Sequence, residues 1–469
     1  MENATPDSNR KQDCISPIDG SVYVSREFAT DSQIDSQLQQ AENAQQLWKN
    51  NTIEQRKIIC KNAINCLLEN EQEIALELSW MMGRPVQYGA GELAGVAERA
   101  NYMISICEKA LETITIAEKA GFTRFISREP LGNVLVIAPW NYPYLTAINA
   151  IIPALLAGNC VLLKHSMQTP LCAERLYQAF QQAGLPDGVF QYLHLSHGQT
   201  SQLIKSKDIN FVSFTGSVKG GEQVEESAVG RFIGVGLELG GKDPAYVRHD
   251  ADIDNSVATL IDGAFFNSGQ SCCGIERIYV HADVYDQFVS KAVSLCKQYK
   301  LGRSDDPQTT LGPMVNVSAA DFVREQIKQA IEQGAVAHID QALFPLSAPA
   351  TPYLAPQILT NVNHDMRVMT QESFGPVVGI MKVETDQQAI TLMNDSEFGL
   401  TACIFTQDIE TGIKLGQQVI TGTLFINRCD YLDPALAWTG VKQSGRGCSL
   451  SQLGFAQLTR PKSYHIKHA

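Results

Sequence analysis

Two adjacent cysteines follow a turn that contains a glycine. Residues 267–270 have the sequence NSGQ, and Ser271, Cys272 and Cys273 come directly after them. A thiolate at a turn, close to backbone amide dipoles, is activated and can act as the nucleophile of covalent catalysis. Most lone cysteines are instead buried structural residues, and the spacing alone is compatible with either role.

A second candidate for chemistry is Glu238, which lies between Leu237 and Leu239 and is followed by two glycines. A carboxyl group buried at an apolar strand end has a raised pKa, which suits a general base. The alternative is a partly exposed glutamate that pairs with a lysine such as Lys242. That arrangement is the commoner one in proteins.

A glycine-containing turn is the third candidate. Residues 214–217 (FTGS) end a predicted strand, and Gly220 and Gly221 fall in the first turn of the helix that follows. Backbone amides at such a helix start can bind a pyrophosphate, and glycines allow it to come close. The spacing is not GxGxxG, so a tight strand-to-helix turn explains these glycines equally well.

The elements that would position these residues alternate between strand and helix. Three apolar runs rich in β-branched residues are each followed by a turn and a helical stretch, namely 134–137, 160–163 and 211–214. This alternation predicts a parallel sheet. Ligands of open α/β sheets bind at the carboxyl ends of the strands. The polar turns 139–143, 164–166 and 215–217 are therefore expected to meet at one crevice.

Composition bounds the class of protein. A chain of 469 residues exceeds what one hydrophobic core usually serves, so two or more domains are expected. The 50 acidic and 37 basic residues give a net charge of −13, which disfavours nucleic acid as a partner. The twelve cysteines show no paired CxxC spacing and no secretory signal precedes them, which predicts reduced thiols and a cytoplasmic location.

The remaining patterns are less specific. Residues 32–50 have apolar side chains at helical spacing, and residues 122–136 alternate as strands do. The apolar stretch 142–163 is interrupted by asparagine, proline and glycine, which predicts a buried helix, turn and strand rather than a membrane span. Residues 335–356 contain four prolines and little periodicity, which predicts a long surface loop.

Six blocks of the sequence together resemble the signature motifs of the aldehyde dehydrogenase superfamily, in the same order along the chain. They are 139–143 (PWNYP), 214–217 (FTGS), 237–242 (LELGGK), 269–272 (GQSC), 372–376 (ESFGP) and 442–445 (KQSG). The resemblance extends from about residue 15 to the C-terminus. Six ordered blocks at compatible spacing make chance agreement negligible and favour the catalytic roles described above.

The resemblance implies oxidation of an aldehyde to the carboxylic acid by a non-acylating, NAD(P)-dependent enzyme. Cys272 matches the nucleophile, which would form a thiohemiacetal and then a thioester. Asn141 matches the residue whose side-chain amide, together with the backbone N–H of Cys272, stabilises the oxyanion. Glu238 matches the general base that activates the hydrolytic water.

Cofactor roles follow from the same resemblance. Lys164 matches a ligand of the adenosine ribose, Ser217 a ligand of the pyrophosphate, and Glu372 with Phe374 the residues that hold the nicotinamide ribose and ring. Further residues expected in the cofactor cleft are Trp140, Ser166, Met167, Gly216 and Gly240. No metal is expected.

Two positions depart from the family pattern. Many NAD-specific members carry a glutamate where this chain has Met167, so the ribose lacks its usual carboxylate ligand and the 2′-phosphate of NADP lacks its repeller. NAD is the expected cofactor, with NADP possible. Ser449 replaces an acid often found near the active site, which removes the carboxylate from any proton relay at that point.

The substrate pocket is expected to be mainly apolar or aromatic. Its predicted lining is Tyr142, Leu145, Phe266, Ser271, Cys273, Leu432 and Trp438. Relatives that resemble succinate semialdehyde dehydrogenases have carboxylate-binding arginines where this chain has Asn149 and Phe266. The substrate is therefore expected to be an uncharged aliphatic or aryl aldehyde, with a semialdehyde as the alternative. Arg428 and Asp430 could add a polar contact.

The architecture implied by the resemblance is α/β. It consists of a Rossmann-like dinucleotide-binding domain (1–110 and 131–240), an α/β catalytic domain (241–442) and a small β oligomerisation element (111–130 and 443–469). A homodimer or homotetramer is expected, with residues 123–128 and 464–467 as strands that pair across the interface. Neither a membrane nor a nucleic acid is expected as a partner.

The sequence disfavours three alternative functions. A CoA-acylating relative is disfavoured by Glu238, because such enzymes commonly lack that base. A non-catalytic binding or structural protein on the same fold is disfavoured because a scaffold needs none of Cys272, Asn141 and Glu238. A zinc site at His194 and His197 is disfavoured because no third ligand follows nearby.

Overall fold

The computed structural model describes residues 11–468. Its first half alternates helices and strands, with bounds as follows: β1 Lys11–Ile15, β2 Val22–Glu27, α1 Asp31–Trp48, α2 Ile53–Leu68, α3 Glu71–Met82, α4 Gly89–Ala110, β3 Ile114–Thr115, β4 Phe122–Pro130, β5 Asn133–Ile137, α5 Pro143–Leu156, β6 Cys160–Lys164, α6 Pro170–Gln182, β7 Phe190–Tyr192, α7 His197–Lys205, β8 Phe211–Thr215, α8 Val218–Ala228 and β9 Gly234–Glu238.

The second half continues the alternation, with these bounds: β10 Asp243–Val247, α9 Ile253–Phe265, β11 Ile275–His281, α10 Tyr285–Cys296, α11 Val317–Glu332, β12 Val336–Ala337, β13 Gln357–Thr360, α12 Arg367–Thr370, β14 Val377–Val383, α13 Asp386–Asn394, β15 Phe398–Gly399, β16 Thr401–Phe405, α14 Ile409–Gly416, β17 Thr423–Ile426, β18 Val441–Lys442, β19 Gly445–Arg446, α15 Leu453–Ala456 and β20 Thr459–Lys467.

The first large sheet has six strands in the order β19-β9-β8-β5-β6-β7. The five strands β9, β8, β5, β6 and β7 are parallel to one another, and β19 pairs antiparallel with β9. β5 and β6 are buried along their whole length, as parallel strands covered on both faces must be. The predicted parallel sheet is confirmed, and its strand ends bring three polar turns to one edge.

The second large sheet has seven strands in the order β12-β13-β14-β11-β10-β16-β17. All neighbours are parallel except β12, which pairs antiparallel with β13 at the edge. Two separate groups of buried side chains pack on the two faces of this sheet. Each large sheet therefore has its own hydrophobic core, as the chain length predicts.

A third sheet is built from β20, β4 and β3. β20 and β4 pair antiparallel over nine residues, from Thr459 opposite Pro130 to Lys467 opposite Phe122. Segments 123–128 and 464–467 thus pair with each other within one chain. Any pairing across a subunit interface must use the outer edge of β20.

The described part of the segment 443–469 contributes strands to two different sheets. β19 joins the six-stranded sheet, whereas β20 joins the three-stranded sheet. Backbone pairing of Gly445 with Glu238 joins the first part of the segment to the six-stranded sheet. The predicted domain boundaries otherwise stay a prediction.

Local predictions about single segments agree with the structure. The helix predicted over 32–50 is α1, which begins after a capping box formed by Thr30 and Gln33. Residues 142–163 form α5, a turn and β6, and residues 335–356 are irregular apart from β12 and a 3₁₀ turn at Gln341–Leu343. Within residues 11–468 there is no helix that is both long enough and apolar enough to cross a membrane.

Candidate active site

The turn before Cys272 has an unusual backbone conformation. Asn267, Ser268 and Gly269 follow α9 with φ angles of 52°, 58° and 70°, so three consecutive residues are left-handed. Such a conformation is costly for the two residues that are not glycine. At position 269 a Cβ atom would lie 2.3 Å from the carbonyl oxygen of Gly375, so glycine is required there.

Hydrogen bonds hold this turn in place. The hydroxyl of Ser268 donates to the carbonyl of Gly312 at 2.8 Å. The Gln270 side chain donates to the Asn267 carbonyl at 3.1 Å and accepts from the backbone N–H of Val315 at 2.8 Å. The turn therefore carries Cys272 into the site on a fixed backbone rather than on a mobile loop.

A buried arginine ties this turn to the first sheet. Arg84 is 2% exposed and forms an ion pair with Glu92 of α4. Its guanidinium also donates to the carbonyl oxygen of Asn141 and, at 3.2 Å, to the side-chain oxygen of Asn267. Burial lowers the pKa of Arg84 to about 10, so the group remains a cation at neutral pH.

The partner of Arg84 orients the next helix. One carboxylate oxygen of Glu92 accepts hydrogen bonds from the backbone N–H groups of Tyr144 and Leu145, at 2.8 and 3.2 Å. These are free N–H groups of the first turn of α5, where a negative charge is favourable. One buried ion pair therefore fixes both Asn141 and the helix that begins just after it.

The side-chain amide of Asn141 contacts the segment that leads to Cys272. The Asn141 side-chain amide donates to the carbonyl of Gln270 at 3.1 Å, two residues before Cys272. An amide group has two N–H donors, so the second remains for another acceptor. Cys272 is half-buried, and the sequence-predicted nucleophile and oxyanion donor are brought together.

The neighbouring thiol has a different environment. Cys273 is 3% exposed, and its sulfur lies 2.9 Å from a carboxylate oxygen of Asp430. Hydrogen bonding to Cys272 and burial raise the pKa of Cys273 well above its usual value. A thiol with a raised pKa is a weak nucleophile at neutral pH, which disfavours Cys273 as the nucleophile.

Glu238 ends β9 in the same cavity as Cys272. Ser449 donates a hydrogen bond of 2.5 Å to one carboxylate oxygen, and Thr215 donates one of 3.3 Å to the other. Burial raises the pKa of Glu238, against the effect of these two hydroxyls. The alternative pairing of Glu238 with Lys242 is wrong, because Lys242 forms its ion pair with Glu276.

Cys272 and Glu238 open into a cavity of about 1000 Å³. The structure places all seven residues of the predicted substrate pocket on its wall, namely Tyr142, Leu145, Phe266, Ser271, Cys273, Leu432 and Trp438. Sequence reasoning missed Arg99, which also lines this cavity. The available signal was an arginine on the buried face of α4, between Val96 and Met103.

A second cavity, of about 370 Å³, lies at the carboxyl ends of β5, β6 and β8. Five of the predicted cofactor residues line it, namely Trp140, Lys164, Ser166, Gly216 and Ser217. Met167 does not line this cavity. Ser217 caps α8, so free backbone N–H groups of a helix start face the space where a pyrophosphate would bind.

The charge of this second cavity suits a phosphate group. Lys164 is 5% exposed and forms no ion pair within residues 11–468, and burial lowers its pKa to about 8. His197 and Lys219 also line the cavity, whereas no carboxylate does among the described residues. A buried cation without a counter-charge is costly, and an anionic or hydroxyl-bearing ligand would relieve that cost.

Glu372 and Phe374 lie on a turn that meets the second cavity at Trp140. Glu372 accepts a hydrogen bond from the Gly241 N–H at 2.9 Å, and burial raises its pKa to about 7. At position 240 a Cβ would lie 2.3 Å from this carboxylate, so a larger residue there would displace the Glu372 side chain. The Phe374 ring meets the Trp140 ring edge-on, with 5.7 Å between centroids.

The turn that carries these two residues is held by a buried ion pair that the sequence analysis did not find. Glu276 accepts from the backbone N–H groups of Ser373 and Phe374, at 2.8 and 2.9 Å. Lys242 pairs with Glu276 and donates to the Ser373 hydroxyl at 3.0 Å. This contact fixes the left-handed backbone of Phe374, whose φ angle is 50°.

The histidines considered for zinc have other neighbours. One ring nitrogen of His194 lies 3.1 Å from Glu174 and the other 3.2 Å from the Gln12 side chain. His197 begins α7 and lines the second cavity. Within residues 11–468, no three His, Cys, Asp or Glu side chains are grouped so that they could hold a metal ion.

Comparison with known proteins places these observations in a family context. The family model described as "Aldehyde dehydrogenase family" matches residues 4–464. A succinate-semialdehyde dehydrogenase of Deinococcus radiodurans, named for NADP(+), is 32% identical over 465 residues, covering 98% of this chain and 96% of that protein. An NADP(+) D-glyceraldehyde dehydrogenase of Thermoplasma acidophilum is 30% identical over 469 residues, covering 98% and 94%.

A solved structure gives the same result. The succinic semialdehyde dehydrogenase from Streptococcus pyogenes, in complex with NADP+, superposes with a TM-score of 0.92 at 29% identity. The alignment covers 97% of this chain and 100% of that one. The likeness therefore includes both large sheets and the site between their strand ends.

Replacing Arg84 by methionine should destabilise the protein markedly. The variant leaves the Glu92 carboxylate buried without its cation, which typically costs about 3–5 kcal/mol. The midpoint of thermal unfolding should therefore fall clearly below that of the wild type. As a control, Arg303→Met removes an exposed ion pair with Asp305, which is worth at most about 1 kcal/mol. Equal midpoints for the two variants would contradict this account.

Proposed function

The chain belongs to the aldehyde dehydrogenase family, and from that premise we propose that it oxidises an aldehyde through a thioester on Cys272, with NADP as the preferred dinucleotide. Family membership makes it an oxidoreductase that acts on aldehydes with a nicotinamide dinucleotide. The observation that carries the proposal is that Cys272 and Glu238 share one cavity, which meets the cofactor cavity at Thr215.

Covalent attack is the first step of the proposed mechanism. After the thiol proton has been lost to solvent, the thiolate sulfur of Cys272 bonds to the aldehyde carbon, and the carbonyl π electrons move to the oxygen as an oxyanion. The free N–H of the Asn141 amide and the backbone N–H of Cys272 stabilise this oxyanion, which is commonly worth about 10²–10³ in rate per donor. A bound nicotinamide dinucleotide supplies the acceptor for the hydride that leaves as the carbonyl re-forms as a thioester.

Hydrolysis is the second step. Glu238 removes a proton from a water molecule, whose oxygen attacks the thioester carbon, and the Cys272 thiolate leaves as the acid is released. A general base works best when its pKa lies near the working pH, and burial shifts the pKa of Glu238 in that direction. The presence of this carboxylate in the cavity supports transfer to water rather than to CoA.

The preference for NADP rests on charge. Lys164, His197 and Lys219 line the cavity at the strand ends, and the lining residues, all of them described, include no carboxylate to repel a 2′-phosphate. Relatives at about 30% identity are named for NADP(+). The expectation of NAD from the sequence is therefore replaced by NADP as the main cofactor, with NAD as the weaker one.

Self-association and location complete the proposal. β20 is the edge strand of the three-stranded sheet, and its side chains are largely exposed. An unpaired strand edge is a template for a second strand, so the subunits are proposed to associate through β20. The family resemblance supports a homo-oligomer, and twelve free cysteines without a disulfide support a reducing compartment such as the cytoplasm.

Loss of the nucleophile should abolish aldehyde oxidation. Cys272→Ala removes the sulfur on which the covalent intermediate forms, so kcat should fall by a factor of at least 10⁴, as for other covalent nucleophiles. Reduction of NADP with a short aldehyde, followed by absorbance, measures the loss. Cys66→Ala serves as the matched control, because Cys66 is a half-buried cysteine on α2, outside both cavities. Turnover of Cys272→Ala at the rate of the control would refute the covalent mechanism.

Removal of the Ser449 hydroxyl should shift the pH dependence of acid release. The hydroxyl hydrogen-bonds to the charged form of Glu238 and lowers its pKa, so Ser449→Ala should raise that pKa further. The base acts only when deprotonated, so the rate falls at neutral pH and recovers at higher pH. Single-turnover rates of acid release across pH measure this shift. Ser451→Ala, whose hydroxyl accepts from the Leu453 N–H, should leave the profile in place; a shift of equal size there would count against the assignment.

A carboxylate at position 167 should weaken NADP selectively. Met167→Glu places a negative charge in the turn after Lys164, where it repels a 2′-phosphate and can bind ribose hydroxyls. The ratio of kcat/KM for NADP to that for NAD should fall about 10- to 100-fold. Met167→Gln has nearly the same shape without the charge and should retain the ratio. The prediction fails if the glutamate and glutamine variants have the same ratio.

A further inference from the structure

One cation in the aldehyde cavity has no counter-charge. Arg99 of α4 is 9% exposed and lines the cavity beside Leu145 and Asn149. One nitrogen of its guanidinium donates to the carbonyl of Leu145 and to the side-chain oxygen of Asn149, both at 3.3 Å. In the part of the chain that the structure describes, no carboxylate lies within ion-pair distance of Arg99. Burial accordingly lowers the pKa of this group.

Asn149 supplies a second unused donor at the same place. Its side-chain oxygen accepts from Arg99, and its side-chain nitrogen is buried without a hydrogen-bond partner. Arginine can only donate, so the contact fixes which end of the amide faces the guanidinium. A buried N–H₂ group without a partner is costly unless a ligand accepts from it.

We propose that Arg99 and Asn149 bind the carboxylate at the far end of the aldehyde substrate, which makes the substrate class ω-oxo carboxylic acids. This inference rests on the proposed aldehyde oxidation and names its substrate. The planar guanidinium presents several parallel N–H donors that match a carboxylate, and low solvent exposure strengthens the contact. The cation lies in the cavity that holds Cys272, so one substrate can reach both.

The expectation of an uncharged substrate rested on positions 149 and 266. Those positions hold no arginine in this chain, and Arg99 supplies the charge from a different element, α4. The relatives named for succinate semialdehyde agree with a carboxylate-bearing substrate.

Acidic residues of the cavity do not oppose this binding strongly. Glu98 and Asp262 are exposed, so solvent and salt screen their charges. Glu238 also lines the cavity and interacts with Arg99, but hydroxyls of Ser449 and Thr215 already bind its carboxylate. Asp430 hydrogen-bonds with Cys273 and Ser271, and burial raises its pKa to about 7, so it is partly neutral at physiological pH. An alternative subsite for an ammonium group would have to lie beside the Arg99 cation, which disfavours it.

Paired substrates of equal chain length test the inference on the full-length enzyme. Succinate semialdehyde is compared with butanal, and glutarate semialdehyde with pentanal, by kcat/KM. The wild type should prefer the carboxylated member of at least one pair. Arg99→Gln should lower that preference about 10- to 100-fold, mainly through KM, and Arg99→Lys should lie between the two.

Arg428→Gln is the matched control. The sequence suggested a polar contact from Arg428, but this exposed arginine is not among the residues that line the cavity, and its guanidinium stacks on the Tyr431 ring at 3.7 Å. The substrate preference should therefore stay at the wild-type value. Succinate should also compete with butanal in the wild type and much less in Arg99→Gln. This competition is informative even if a variant is poorly folded, because the wild type alone must show it.

Several outcomes would overturn the assignment of Arg99. One is a wild type whose kcat/KM is higher for the uncharged aldehyde in both pairs. A second is the absence of competition between succinate and butanal in the wild type. A third is a loss of preference for the carboxylated substrate in Arg428→Gln but not in Arg99→Gln. Failure of the wild type to oxidise any of the four aldehydes would instead refute the proposed function.

Discussion

The site depends on one buried cation. Arg84 holds three chain segments together, because its guanidinium contacts the Glu92 carboxylate, the backbone of Asn141 and the side chain of Asn267. The strained turn before Cys272 is stable only where such contacts over-determine it. Arg84 is distant in sequence from Asn141 and Asn267, yet it joins the segments that carry them.

Burial also sets the protonation of the groups that could react. The same exclusion of water raises the pKa of Glu238 and of Glu372 and lowers that of Lys164. Hydroxyl groups from Ser449 and Thr215 oppose the shift at Glu238. The acid-base properties of the site therefore result from a balance between desolvation and a few hydrogen bonds.

The sequence predicted those strands and site residues that are marked by a local pattern of residues. Apolar runs predicted β5, β6 and β8, and motif spacing singled out Cys272 and Glu238. It could not predict Arg84, Arg99 or the pair of Lys242 with Glu276, because their roles arise from contacts between elements distant in sequence. Lys242 illustrates this limit. Its position close to Glu238 in the sequence suggested an ion pair between the two, but β11 places Glu276 beside Lys242 in the structure.

The C-terminal segment completes the site, and its path explains why. β19 pairs antiparallel with β9, and Gly445 fits there with φ of 110° because any Cβ would lie 2.1 Å from the Leu237 carbonyl. This pairing carries Ser449 onto Glu238, and ten residues later the same segment enters β20 beside β4. The Glu238 carboxylate is thus oriented by a segment that continues into β20, which couples the arrangement of the cavity to the three-stranded sheet.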